Sequence, residues 1–180
     1  MSSLLDALRC FLHGFACAGR GFTCALRTET NLRFHLVSTV YVLLFSLYFG
    51  FGVGEYALLI GTIAVVMSCE LLNTAVETVV NRISPEYSLF ARRAKDIAAA
   101  AVLVTAVGAV LIGVLLFWDP AGWVRMGEDF MSHPYKPLLL FLLLVPSIWF
   151  ILWFRLPVGT PPADRRAKVP KQGTERRGTA

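Results

Sequence analysis

The chain has 180 residues, 56% of them hydrophobic, and a mean hydropathy of +0.63. That is too apolar for a soluble domain and predicts an all-α integral membrane protein built on one modest domain. The net charge is +5, and residues 155–180, with seven basic and two acidic side chains, hold an excess of the same size.

The N-terminal stretch predicts an amphipathic surface helix over residues 4–26, or two shorter ones. Leu4, Leu8, Phe11, Phe15, Ala18, Phe22 and Ala25 recur every three or four residues, with Arg9, His13, Arg20 and Arg27 off that stripe. Such a helix lies along a bilayer with its arginines toward the headgroups. Gly19 and Gly21 predict a bend around Arg20. Asp6, Arg9 and Cys10 interrupt any apolar core, so the segment does not read as a signal peptide. Cys10, Cys17 and Cys24 are seven residues apart and form no CxxC pair, so they read as packing residues rather than zinc ligands.

Four apolar runs follow. The first predicts a span over residues 32–51, with Gly50, Gly52, Gly54 and Glu55 forming the turn after it. The second predicts a span over 56–80 and ends in the polar loop around Pro85, which bars helix at Ser84. The third, over 97–118, is rich in alanine in its first half, and small residues let helices approach closely in lipid. Residues 119–136 read as a loop outside the cytoplasm, with Trp123 as an interface anchor. The fourth span covers 137–156. Residues 157–180 alternate prolines with charges and predict a disordered basic tail. That tail suits an anionic lipid surface. No aromatic platform accompanies it, so nucleic acid is not an expected partner.

Arginines and lysines cluster in the N-terminal segment, the loop near residue 85 and the tail, which places both ends in the cytoplasm. The expected location is the cytoplasmic (inner) membrane, with the functional residues at its cytoplasmic face.

The stretch Glu70-Leu71-Leu72-Asn73-Thr74-Ala75-Val76-Glu77 is the focus of the chain. On a helix, Glu70, Asn73, Thr74 and Glu77 share one narrow face. A carboxylate within a span is expensive and is kept for a task, or is neutralised by a basic neighbour. The predicted topology brings Glu29, Lys95 and Asp96 to the level of Glu77, with Glu70 about two turns deeper. Two carboxylates at the water interface suit Mg²⁺, which binds through oxygen ligands together with nucleotide phosphates. A lysine beside them can neutralise phosphate charge. A deeper carboxylate suits a general base acting on a hydroxyl at headgroup depth. This is one reading, phosphoryl transfer from ATP to a lipid alcohol. A non-catalytic membrane scaffold or small transporter would also place acids in its spans. No P-loop or kinase glycine-rich loop is present.

The same residues carry a resemblance. Glu70 to Val80 is similar to the signature of the bacterial diacylglycerol kinase and undecaprenol kinase family. Ser84-Pro85-Glu86-Tyr87 and the run from Arg93 through Lys95 and Asp96 resemble its second half. Glu29, Asn31, Arg33 and His35 resemble the undecaprenol kinase form of its first motif. The resemblance covers residues from about Phe15 to Phe117. It implies a small membrane enzyme, homotrimeric, with three spans and a surface helix per subunit and with sites between subunits. By resemblance, Glu70 is the base on the lipid hydroxyl and Glu29 and Glu77 bind the metal. Glu29, Glu77, Glu86, Tyr87, Lys95 and Asp96 contact ATP, and Arg9 reaches a phosphate. Asn73, Arg33 and Asn31 support the site or the substrate. The chain departs from the family at Asn81, usually Asp, at Ser88, commonly His, and at Thr30, usually Arg in the undecaprenol branch. Its fourth span and tail go beyond the minimal family.

Overall fold

The computed structural model describes residues 2–84 and 88–154, with side chains from Asp6 onward. Among these residues there are six helices and no strand. They are α1 (Ser2–Thr28), α2 (Thr30–Ser46), α3 (Val53–Ile83), α4 (Leu89–Leu116), α5 (Pro120–Ser132) and α6 (Tyr135–Trp153). Helices α3, α4 and α6 are long and apolar enough to cross a membrane, which makes this a multi-pass membrane protein. Helix α3 has 31 residues. At 1.5 Å per residue it is about 46 Å long and overruns a hydrocarbon core of roughly 30 Å. Helix α2 has 17 residues and is shorter than that core.

Helices α3 and α4 form the most extensive pair in the fold. Gly61 and Gly108 lie on their shared groove, where missing side chains let the backbones approach. Helix α2 packs on α3 with one side and on α6 with another. It runs antiparallel to α6. Tyr41 Oη meets Ser147 Oγ at 3.2 Å near mid-length, and Arg33 at the start of α2 reaches Ile151 near the end of α6. The buried apolar core is small, with Ala25, Leu32, Phe49, Leu59 and Val66. The outward faces carry Leu72, Ile97, Leu111, Leu142 and Trp149 in the open. Lipid tails solvate such faces as well as a protein core would.

Several expectations need correction. The N-terminal stretch is one helix rather than two, since α1 continues through Gly19 and Gly21. The first apolar run is helical only to Ser46, because Tyr48 N and Phe49 N close back on Phe45 O and Ser46 O. Gly50, at φ +64°, then turns the chain in a region that side-chain-bearing residues avoid. Gly52 is the N-cap of α3, so Gly54 and Glu55 belong to its first turn and not to the loop.

Residues 119–136 are not an open loop, since most of them form α5. The start signal is local. Asp119 accepts from Ala121 N at 3.0 Å and from Gly122 N at 3.1 Å, and Pro120 fills the first helical position. Helix α5 then seats on the α2–α3 turn. The Phe49 ring lies so close to Gly122 that a Cβ there would stand 2.5 Å from Phe49 Cδ1. Phe49 also meets Phe117 and Trp123 edge to face, at 4.8 and 5.2 Å between ring centres. Arg125 Nε donates to Tyr48 O at 2.8 Å.

Asp129 ties three elements together at this end. Lys136 Nζ donates to its two oxygens at 2.6 and 2.7 Å, and Tyr48 Oη donates at 2.8 Å. Hydrogen bonds from Lys136 first, and then from Tyr48, hold the Asp129 carboxyl below the usual carboxylate range. The hydrogen bond to Asp129 is also the main cause that raises the Tyr48 phenol above its ordinary value. The basic tail, residues 157–180, lies outside the described residues.

Candidate active site

The opposite end of the bundle gathers the C-termini of α1, α3 and α6 and the N-termini of α2 and α4. Long α3 carries its polar face, Glu70 to Asn81, past the apolar part of the bundle. Glu70 is buried, with only 2% of its surface exposed. His35 of α2 covers it, with Nε2 3.3 Å from Glu70 Oε1. Apart from that contact, Oε1 has no hydrogen-bond partner. Glu29 and Glu77 are both close enough to bear on the charge of Glu70. The structure therefore brings three of the expected carboxylates into one electrostatic group.

Glu29 is the N-cap residue of α2, yet its side chain makes no capping hydrogen bond. Its carboxylate is left available at the positive end of a helix. Glu77 Oε1 accepts from Asn73 Nδ2 at a long 3.4 Å, and Asn73 Oδ1 is buried without a partner. The pair supplies only oxygen donors. Among the described residues, no cluster of three or more His, Cys, Asp or Glu forms a metal cage. Glu29 and Glu77 each offer only carboxylate oxygens, the donor type that Mg²⁺ prefers.

Lys95 Nζ donates to Asn81 Oδ1 at 2.6 Å, linking α4 to α3. A neutral amide orients the ammonium without cancelling its charge, so the Asn81 departure leaves Lys95 free of a carboxylate partner among the described residues. Asp96 pairs with Arg92 one turn away, at 3.7 Å, with both side chains exposed. Glu86 and Tyr87 lie outside the described residues. Asn31 is exposed, and its side chain makes no hydrogen bond among the described residues. Arg9 is not brought to the group within one chain. It lies 20 residues before Glu29 on unbroken α1, roughly 30 Å by helical rise, and pairs with Asp6 at 3.8 Å.

Arg33 is fully buried and serves as a clip. Its Nε donates to Ile151 O at 3.0 Å, and Nη1 donates to Leu26 O, Arg27 O and Phe154 O at 2.8, 3.3 and 3.1 Å. Nη2 donates to Thr30 Oγ1 at 2.9 Å. One guanidinium thereby satisfies open carbonyls at the ends of α1 and α6 and fixes where α2 begins. In the sequence His35 carries only the first-motif resemblance, with no sign of its contact to Glu70, and the clip between Arg33 and α6 leaves no periodic signal.

Fold and site together define a helical, multi-pass membrane protein with a buried acidic centre at one end of its bundle. Residues 16–117, more than half of the chain, match the prokaryotic diacylglycerol kinase family. The chain belongs to that family and is a membrane lipid kinase. It is 38% identical over 112 residues to the undecaprenol kinase of Bacillus subtilis, which covers 62% of this chain and 91% of the relative. It is 45% identical over 65 residues to the diacylglycerol kinase of Escherichia coli K12, which covers 36% of this chain and 53% of the relative. A diacylglycerol kinase of Haemophilus influenzae is 36% identical over 100 residues, with 54% of this chain and 85% of the relative covered.

Proposed function

We propose that the chain transfers the γ-phosphoryl group of ATP to the hydroxyl of a membrane lipid alcohol, diacylglycerol or undecaprenol. The observation that carries this is Glu70, a buried carboxylate grouped with Glu29 and Glu77 at the end of the bundle where Lys95 also sits. A carboxylate buried in a span is costly and is kept for a task, which a scaffold does not supply. Glu70 is the general base, and Glu29 and Glu77 hold Mg²⁺. That ion would neutralise phosphate charge when bound with ATP. Lys95, Asp96, Glu86 and Tyr87 contact the nucleotide, and Asn73, Asn31 and Arg33 hold the site in shape. Arg9 enters from a neighbouring subunit of a homotrimer. Helix α2 crosses the inner membrane beside α6 as the remaining span, and the site faces the cytoplasm. The first motif, from Glu29 to His35, favours undecaprenol as acceptor.

The test uses purified full-length protein in mixed micelles with γ-labelled ATP and either lipid alcohol. Label should enter the organic phase with at least one acceptor. Glu70→Gln should lower kcat by about 10²-fold or more, the usual scale for losing a general base. A wild-type protein that transfers no label to either lipid would overturn the reading.

A further inference from the structure

Helix α6 lies wholly beyond residues 16–117, which carry the family match. It is nevertheless pinned to α2, and to the turn after α2, at three levels. Lys136, at its start, donates to Asp129, which also accepts from Tyr48 Oη just past α2. Further along, Ser147 Oγ meets Tyr41 Oη at 3.2 Å. At its end, the Ile151 and Phe154 carbonyls accept from Arg33 at 3.0 and 3.1 Å. From Lys136 to Ile151 is roughly 22 Å of helix, so the pins fix both the height and the rotation of α6 against α2.

The guanidinium that makes the last pin also grips the chain on both sides of Glu29. Glu29 is the single residue between α1 and α2, extended at φ −104° and ψ 118°. Just before it, Leu26 O and Arg27 O accept from Arg33 Nη1, and just after it, Thr30 Oγ1 accepts from Nη2. All of these contacts lie within one subunit and hold Glu29 whichever neighbour completes the site. A guanidinium buried in a membrane protein needs acceptors for its donors. Were the α6 carbonyls turned away, Arg33 would have to find others, and the joint between α1 and α2 would move with it. Mg²⁺ tolerates little displacement of an oxygen ligand, since it demands near-ideal octahedral geometry.

We propose that the last turn of α6 is a positioning element for Glu29, acting through Arg33, so that this added helix sets the metal affinity of the site. This rests on the lipid-kinase reading, in which Glu29 holds Mg²⁺, and extends it to a helix outside the family match.

Leu152→Pro is the deciding variant. A proline there clashes with the carbonyl one turn back and drives Ile151 out of the helical region, which turns its carbonyl off Arg33. Leu152→Ala keeps the helix and is the control. Arg33→Lys keeps the charge but not the fork of donors. All are full-length proteins in detergent micelles. Mn²⁺ is the probe metal, with a non-hydrolysable ATP analogue, and its free fraction is read by electron paramagnetic resonance. Transfer of label to undecaprenol or diacylglycerol is followed across a Mg²⁺ series. Leu152→Pro and Arg33→Lys should each weaken Mn²⁺ binding by about 10-fold or more, the scale for disturbing a group behind a metal ligand. The Mg²⁺ needed for half-maximal rate should rise in step, and the double variant should lose no more than the weaker-binding single one. Leu152→Ala should match wild type. Wild-type Mn²⁺ affinity in Leu152→Pro would overturn the proposal, as would an equal loss in Leu152→Ala or additive losses in the double variant. If Leu152→Pro does not fold, Arg33→Lys decides alone. Weaker Mn²⁺ binding by folded Arg33→Lys then upholds the proposal, and wild-type binding overturns it. Wild-type protein that binds Mn²⁺ but transfers no label would instead sink the lipid-kinase reading.

Discussion

Arg33 Nε donates to the carbonyl of Ile151 at 3.0 Å, across 118 positions of sequence. That bond joins α2 to α6, at the end where the acidic centre lies. Arg33→Ala would strand carbonyls at the ends of α1 and α6 together. The expected cost is about 3 kcal/mol, the scale for breaking a buried hydrogen-bonded charge. The measurement is thermal or denaturant unfolding in detergent. A shift within error would mean that the carbonyls find other partners and that the clip is not needed.

Gly122 gives a second stability prediction, at the far end. A methyl group there meets the buried Phe49 ring, whose neighbours Phe117 and Trp123 leave little room to retreat. Gly122→Ala should cost about 1–3 kcal/mol, the range for overpacking a filled site. Reducing Phe49 to Leu in the same chain should recover part of that loss, whereas simple additivity of the two changes would refute a direct clash.

The role of Glu77 is tested by charge removal. Glu77→Gln keeps the shape and the contact with Asn73 but withdraws one of the two carboxylates proposed to hold Mg²⁺. Turnover at a fixed low Mg²⁺ concentration should fall steeply and be partly regained at high Mg²⁺. A Mg²⁺ titration that matches wild type would remove Glu77 from the ligand set.

Topology is open to direct measurement. Reporters fused after Ala180 and inserted near Gly127 of α5 should fall on opposite sides of the membrane, the first cytoplasmic. Finding both on one side would exclude the arrangement in which α6 crosses.

Acid should loosen the far end. The folded-state carboxyl of Asp129 titrates below its ordinary value of 3.8, so its bonds to Lys136 and Tyr48 stabilise the fold above that pH. The contribution is lost as pH falls through the lowered folded value. The stability difference between wild type and Asp129→Asn should be full at neutral pH and shrink below about pH 4. A difference that stays constant down to pH 2 would show that the contacts do not depend on ionisation.

The apolar runs made α3, α4 and α6 legible, because a helix in lipid must be apolar over its whole length. The acidic face of α3 was equally plain, since the spacing of Glu70, Asn73 and Glu77 is a helical one. Helix α5 has a start signal in Asp119-Pro120, which a loop reading of residues 119–136 passes over. Its mixed composition of Trp123, Arg125, Glu128 and Asp129 reads as loop unless that cap is weighed. His35 and Arg33 were seen as residues but not as partners of Glu70 and Ile151. Contacts between distant helices follow from packing geometry, and no local period encodes them.

The clip also has a consequence for biosynthesis. Arg33 leaves the ribosome long before Ile151 and Phe154 exist, so α2 enters its environment with a guanidinium still missing two of its eventual acceptors. Burial of that cation is completed only when α6 is delivered alongside. The last helix to be inserted thus closes the assembly at the acidic end.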